Sequence, residues 1–421
     1  MIRARSSVTA VLVVACALRV VHGQVPPATP ITIDQAVSEA LDRNLNLLAE
    51  RFNVDVADAA VITAGLRPNP VVTASLMRPD QSLVDAGISP YEQIFRTDYT
   101  LERGSKRERR LDQAGLARSV MSYQLANTAR TLRLDVENAF TDLLLAKRNL
   151  SLAQDNLKAF NDVVRINAER VRTGDLSAVE LSRSRLAALQ FQNDVRQQET
   201  KLRVSKNRLS TLMGRGPAGD ALDVAGDLRK DALPVDYEQL RRQALDARPD
   251  VRALRADQAR SAADTRLQLA NGTIDYTISG EYHRQEGNDA RGNSYGLFFS
   301  TPLPIFSRNQ GEIARARIQQ QQASTKVQAL EQDIATEAAN AYAEYAAARD
   351  IVAAIETQML TTATDVRTTT EYSYRRGEAS FVEFLDAVRA YNDTMQSYNE
   401  ARAAYARSLY ALDSIAGKVT P

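Results

Sequence analysis

The chain has 421 residues, with 53 Lys and Arg against 52 Asp and Glu, so no overall charge directs it to nucleic acid. It has no Trp, only 18 Gly and 13 Pro, and is dominated by Ala, Leu, Arg, Gln, Glu and Asp, a long-helix composition. One Cys and two His exclude a disulfide framework and leave a hydrolase neither a nucleophile–base pair nor a metal cluster, so no enzyme activity, cofactor or bound metal is expected.

Residues 1–23 read as an export signal. Arg3 and Arg5 form the basic region, Val8 to Leu18 the apolar region, and Val21-His22-Gly23 an acceptable cleavage site. Val13-Val14-Ala15-Cys16 also resembles a bacterial lipobox, so processing is either cleavage after Gly23 or lipidation of Cys16. Removing the segment takes three arginines and no acid, tilting the balance slightly negative. No later run of about 20 apolar residues exists, so no helix is expected to span a bilayer.

Next comes a helix over 34–66, with Ala36, Val37, Ala40, Leu41, Leu45 and Leu48 at three- and four-residue steps. Thr32 with Gln35 is a capping box. After Pro68-Asn-Pro70 the period falls to two, which predicts strands. Val72, Ala74 and Leu76 alternate with Thr73 and Ser75, then Phe95, Thr97 and Tyr99 with Arg96 and Asp98. The hairpin spans 70–102. A helix over 105–172 would be roughly 100 Å long at 1.5 Å per residue. Val136, Leu143, Leu150, Leu157, Val164 and Val171 fall at seven-residue steps, with Ala139, Ala146 and Ala153 three further on, a coiled-coil seam. Gly174 ends it and a return helix covers 177–213.

The same order then repeats at an offset of 203 or 204 residues. Asp236-Tyr-Glu-Gln239 matches Thr32-Ile-Asp-Gln35, Arg375-Arg-Gly377 matches Arg172-Thr-Gly174, and Ile415-Ala-Gly417 matches Leu212-Met-Gly214. This divides the chain into a first repeat over 24–216, a linker over 217–234 and a second repeat over 235–417. The second repeat holds a hairpin over 273–302, a long helix over 309–375 and a return helix over 380–416. Its strands alternate Ile274, Tyr276, Ile278 and Tyr282 with Asp275, Thr277, Ser279 and Glu281, and Tyr295, Leu297 and Phe299 with Ser294, Gly296 and Ser300; Phe298 breaks the pattern. The expected fold is mainly α with a small β part and a two-fold internal repeat. Four strands per chain cannot close a membrane barrel, so a barrel must be shared between chains.

Three stretches carry a resemblance: Ala64-Gly-Leu-Arg-Pro-Asn-Pro70, Pro302-Leu-Pro-Ile-Phe-Ser-Arg-Asn-Gln-Gly-Glu312 and Tyr374-Arg-Arg-Gly-Glu-Ala-Ser-Phe-Val-Glu-Phe-Leu-Asp386. Over about residues 31–417 the chain resembles the TolC family of outer-membrane efflux channels, nearest its CzcC-like heavy-metal branch. The resemblance implies a homotrimer whose twelve strands form an outer-membrane barrel, continued by a coiled-coil α-barrel into the periplasm. It also implies a periplasmic adaptor and an inner-membrane pump of the RND type docking at the helix turns of Gly174 and Gly377. The function implied is an exit duct, with metal cations among its candidate cargoes; a type I secretion channel and a pore-less periplasmic scaffold are the alternatives.

The expected lipid face is Val72, Leu76, Phe95, Tyr99, Ile274, Tyr276, Ile278, Tyr295, Leu297 and Phe299, with Asp98, Asp275, Thr277 and Glu281 facing the lumen. By resemblance Glu383 and Asp386 line the pore constriction; their i, i+3 spacing puts both on one helix face. Ser380-Phe-Val-Glu383 is equally a capping box, as is Ser177-Ala-Val-Glu180. Resemblance also implies a gate latch from Tyr374 to Glu180. A second latch uses an arginine where this chain has Ala379, so it is either missing or supplied by Arg375 or Arg376. His283 reads as a solvated strand-end residue, and the basic run 106–110 as a collar near the membrane boundary, not a nucleic-acid site.

Overall fold

A computed structural model describes residues 30–418 apart from 79, 81, 83–85, 87–90, 218–221, 232–235 and 287–290. The signal segment 1–23 and Cys16 lie outside the described residues. Thr32 caps α1 (Ile33–Arg43) with the expected capping box. The helix expected over 34–66 then breaks at Asn44, whose ψ of 121° is extended and whose side chain accepts the Asn46 and Leu47 amides to start α2 (Leu45–Ala64). Strands β1 (Val71–Met77) and β2 (Tyr91–Leu101) lead to α3 (Lys106–Thr173), an unbroken helix of 68 residues, and α4 (Ala178–Leu212) returns. The order then recurs. α5 (Tyr237–Ala247) and α6 (Pro249–Asn271) are separated at Arg248, because Pro249 has no amide hydrogen with which to continue α5. β3 (Tyr276–Glu286) and β4 (Arg291–Ser300) follow. The second long helix is not continuous: α7 (Gln310–Ala354) passes through a π-turn at Ile355–Met359 into α8 (Leu360–Arg376). α9 (Phe381–Ile415) returns.

The strands form one antiparallel sheet in the order β1-β2-β3-β4. The two hairpins meet at its centre, where Thr97 pairs with Gly280 and Tyr99 with Ile278, and β1 and β4 are its edges. Each long helix begins beside the sheet on a left-handed residue, Ser105 (φ 56°) or Asn309 (φ 62°). Asn309 is held there by its Nδ2, which donates to Gln268 O at 2.7 Å.

Three apolar clusters follow one another along the helices. The first joins Ala36, Val37, Ala40 and Leu47 to Val136, Phe140, Leu143, Leu209, Met213 and Ala406. It also buries Leu222, Val224 and Leu228, so part of the segment read as a linker is packed core: Ile31 pairs with Val224 as a parallel bridge. The second is built on Leu240, Ile334, Tyr345, Tyr405 and Leu409, and the third on Phe160, Phe191, Tyr374 and Phe384. The seam of α3 differs from the expected one. Val136 and Leu143 are buried, but Leu150, Leu157, Val164 and Val171 are only half-buried. Ala139, Ala146, Ala153, Phe160 and Asn167, also seven apart, are buried from one end to the other. The partners change along α3, from α1, α2, α4 and α9 to α4, α8 and α9, and the buried face turns with them.

Candidate functional site: the helix turns and the two-faced sheet

At the far end of the long helices two tight turns sit together. α3 ends on Gly174 (φ 86°) and α8 on Gly377 (φ 81°), both left-handed, where a side chain on Cβ is disfavoured. Asp175 N donates to Arg170 O, and Glu378 N to Ser373 O. Ser177 and Ser380 then cap the return helices. The two caps are not equivalent. Ser380 and Glu383 form the full box, the Ser380 amide donating to Glu383 Oε2 at 2.7 Å. Ser177 accepts the Glu180 amide at 3.2 Å, but no reciprocal bond from the Glu180 carboxylate forms. The Ser380 amide holds the Glu383 carboxyl below the usual carboxylate range. Glu383 and Asp386 are both exposed, and Asp386 has no ion pair among the described residues.

The expected latch is made differently. Tyr374 is buried, lies parallel to Phe384 with ring centres 5.1 Å apart, and donates its hydroxyl to Asn167 Oδ1 at 2.8 Å, not to Glu180. The reason is position: Asn167 stands on the fully buried face of α3, whereas half-exposed Glu180 stands in the first turn of α4. Burial pushes the Tyr374 phenol up; the Asn167 bond and the Arg170 charge oppose this, and the Glu180 charge adds to it. Neither Arg375 nor Arg376 crosses between the turns, since Arg375 pairs with Glu371 at 2.6 Å and Arg376 lies 4.6 Å from the Tyr372 ring centre. The arginine that does cross is Arg170, whose guanidinium lies against Gly377. Asn167 and Phe160 were legible had the Ala139, Ala146, Ala153 series been carried two steps further; nothing in the sequence singled out Arg170.

The sheet separates its side chains by face. Register puts Val72, Ala74 and Leu76 beside Thr97, Phe95 and Gln93, then Phe95, Tyr99 and Leu101 beside Tyr282, Ile278 and Tyr276. Ile278 and Tyr282 in turn face Phe299 and Tyr295. The lipid-face candidates within the strands therefore share one face, on which Val72, Leu76, Tyr295 and Leu297 are 70–89 % exposed. Ile274 does not belong to it: β3 begins at Tyr276, and Ile274 lies in the preceding connection. Asp275 lies there too, accepting from Lys106 Nζ at 2.6 Å and the Arg103 amide at 2.9 Å.

The opposite face carries Arg96, Asp98, Thr277, Ser279, Glu281 and His283. Arg96 Nε donates to Asp98 at 2.8 Å, and Ser279 bonds the same carboxylate. Register puts Phe298 on this polar face, opposite Ser279; its ring folds over Gly296, where any Cβ would collide with it, and lies 5.1 Å from the Arg96 guanidinium. His283 is half-buried in its strand, 3.9 Å from Glu92, not in a solvated loop. No group of His, Cys, Asp and Glu able to hold a metal occurs among the described residues, and no described helix is long and apolar enough to cross a membrane.

The sequence pattern of the outer membrane efflux protein family matches residues 36–215 and again residues 240–418. The chain belongs to that family. The chain is 24% identical over 364 residues to the cobalt-zinc-cadmium resistance protein CzcC of Cupriavidus metallidurans, covering 86% of this chain and 84% of that one. Its fold matches the outer-membrane channel OprN with a TM-score of 0.76 at 20% identity, over 91% of this chain and 89% of the other. It also matches CusC, studied for its folding and transmembrane channel formation, with a TM-score of 0.76 at 18% identity, over 91% and 92% of the two chains. The protein is thus a mainly helical, TolC-like chain with a four-stranded antiparallel sheet.

Proposed function

We propose that three copies of this chain close a twelve-stranded barrel in the outer membrane, continued by their helices as a tunnel into the periplasm. The observation that carries this is the two-faced sheet with unpaired edges at β1 and β4. One face is mostly apolar, broken by Thr97 and Gln93, and the other carries a network of charges and hydroxyls, as a lipid-facing wall and a water-filled lumen require. Four strands are too few to close, and three copies bring twelve. In this reading the two halves of each chain are duplicates of one plan, meeting at the β2–β3 pairing.

The assembly is the passive exit duct of a tripartite efflux system. A periplasmic adaptor and an RND-type inner-membrane pump dock at the turns of Gly174 and Gly377, and the cargo is divalent metal cations. The relationship to CzcC supports the cargo. Glu383 and Asp386, exposed one helical turn apart at that end, repeat three-fold as a ring of carboxylates, which favours cations. The Ser380 amide helps keep Glu383 charged. Tyr374, seated on Asn167, ties the second helix pair to the first at the closed end.

Native mass measurement in detergent tests the assembly: a trimer is expected, and a stable monomer that still conducts in planar bilayers overturns it. Glu383→Gln with Asp386→Asn is expected to weaken cation selectivity; unchanged selectivity with lowered thermal stability makes Glu383 a helix cap alone.

A further inference from the structure

Where the strands pass into the helices, the apolar face of the sheet runs onto a band of arginines. Tyr99 and Leu101 of that face wall a cleft of about 210 Å³ with Arg67, Ser105, Lys106 and Arg107. The Arg103 guanidinium lies 4.5 Å from the ring centre of Tyr276, on the same face. Lys106 is committed to Asp275 and Arg110 to Glu102. Arg67, Arg103 and Arg107 have no carboxylate partner among the described residues; Arg103 donates Nη1 to the Tyr276 hydroxyl at 2.5 Å and Arg107 donates Nε to Gly65 O at 2.6 Å. The carboxylates in the cleft wall are Glu108 and Glu102, the latter already held by Arg110.

Directly after β4 the chain exposes apolar residues that no strand or helix covers: Leu303 at 75 %, Ile305 at 67 % and Phe306 at 91 %. Asp275 joins this segment to the cleft. Its carbonyl accepts the Thr301 hydroxyl at 3.1 Å, while its carboxylate holds Lys106 and the Arg103 amide. Arg308 closes the segment, its Nε donating to Pro304 O at 3.2 Å.

We propose that this junction is a headgroup site for anionic glycerophospholipid at the periplasmic margin of the barrel. These guanidiniums meet only neutral oxygens, so their charge calls for an anion, and their planar forks suit phosphate. Leu303, Ile305 and Phe306 call for hydrocarbon at the same depth, and one molecule of anionic phospholipid supplies both. Its acyl chains continue up the apolar face above the arginines. The proposal rests on the reading that this face meets lipid.

The chain has no Trp, so one introduced Trp reports alone. Phe306→Trp reads the junction and Tyr295→Trp the sheet face, each in vesicles of phosphatidylethanolamine and phosphatidylglycerol containing brominated phospholipid. Both are expected to be quenched. Quenching at 306 is expected to fall by about half or more when phosphatidylcholine replaces phosphatidylglycerol, and to fall likewise in Arg67→Gln with Arg103→Gln; added inorganic phosphate leaves it unchanged. Quenching at 295 follows neither change. Emission at 306 that is blue-shifted but unquenched places the segment against a second copy of the chain and overturns the proposal. So do equal quenching in both lipid mixtures and competition by inorganic phosphate, which makes the cleft a free-anion site. An unquenched Trp at 295 removes the lipid-face reading itself. Should Phe306→Trp fail to assemble, Ile305→Trp carries the same reading.

Discussion

The first long helix, α3, runs 68 residues without interruption, whereas its counterpart is divided by the π-turn at Ile355–Met359. Opposite that turn, α9 supplies a clamp: the Tyr398 hydroxyl donates to Glu356 Oε1 at 2.7 Å, and Arg402 donates to the Tyr398 oxygen at 3.0 Å. The caps differ in the same sense, with a closed box at Ser380 and a half-made one at Ser177. Both halves follow one order of elements, yet only the second carries a mid-helix irregularity, of the kind that elsewhere marks functional sites. The lesson is that the first helix pair, α3 with α4, is built as a strut and the second, α7–α8 with α9, as an arm jointed at Ile355–Met359.

The most severe way to break this distinction is Phe160→Ala. Phe160 is fully buried, its ring centre 4.4 Å from that of Phe191 on α4 and 5.8 Å from that of Phe384 on α9. Its loss should cost about 3–5 kcal/mol, measured by thermal or denaturant unfolding of the assembled protein, and should loosen both helix pairs together. Loosening of one alone would mean that strut and arm are not coupled there.

Next comes the clamp. Tyr398→Phe removes a bond to a charged acceptor that is half-exposed, so the effect should be about 1–2 kcal/mol, the lower part of the range for charged partners. Hydrogen exchange should quicken over 355–376 and stay unchanged over 151–173. Equal change in both would erase the jointed-arm reading. Tyr374→Phe should cost about 1 kcal/mol and leave buried Asn167, whose Nδ2 already has no partner, without its remaining bond. Resting conductance in planar bilayers should rise.

The smallest effects sharpen the comparison of caps. Ser380→Ala should cost about 1 kcal/mol and Ser177→Ala about half as much. The Glu383 contribution carries a pH signature. Its folded-state pKa is depressed, so the stabilisation is present above the ordinary value of 4.5 and fades as pH falls through the lower, folded-state value. Glu383→Gln should flatten the difference in melting temperature between neutral and acid solution.

Much of this architecture was legible because it is periodic. Alternation placed nine of the ten residues expected to face lipid on one side of the sheet, and glycines at 174 and 377 marked both turns. Periodicity could not show where a helix breaks. Pro249 explains one break after the fact, but Asn44 breaks its helix with a side chain that equally suits a helix surface, and nothing in Ile355–Met359 announces a π-turn. The tip was misread for a related reason. Tyr374 was given an acid by resemblance, while the nearer buried amide, Asn167, is chosen by which face of α3 is covered, a matter of packing partners that no local spacing encodes.

If the proposed barrel is right, the two open edges, β1 and β4, set the order of events by which it assembles. A lone chain exposes two rows of unpaired backbone amides and carbonyls at the edges of a sheet with one apolar face, a template for indiscriminate strand addition. Chains that meet their own kind bury both edges; chains that do not are substrates for aggregation and proteolysis. The folded sheet therefore has no free energy of its own to quote, because its persistence depends on the concentration of its partners. On the proposed trimeric reading, the supply of new chains, as much as any contact within one chain, would govern how many barrels form.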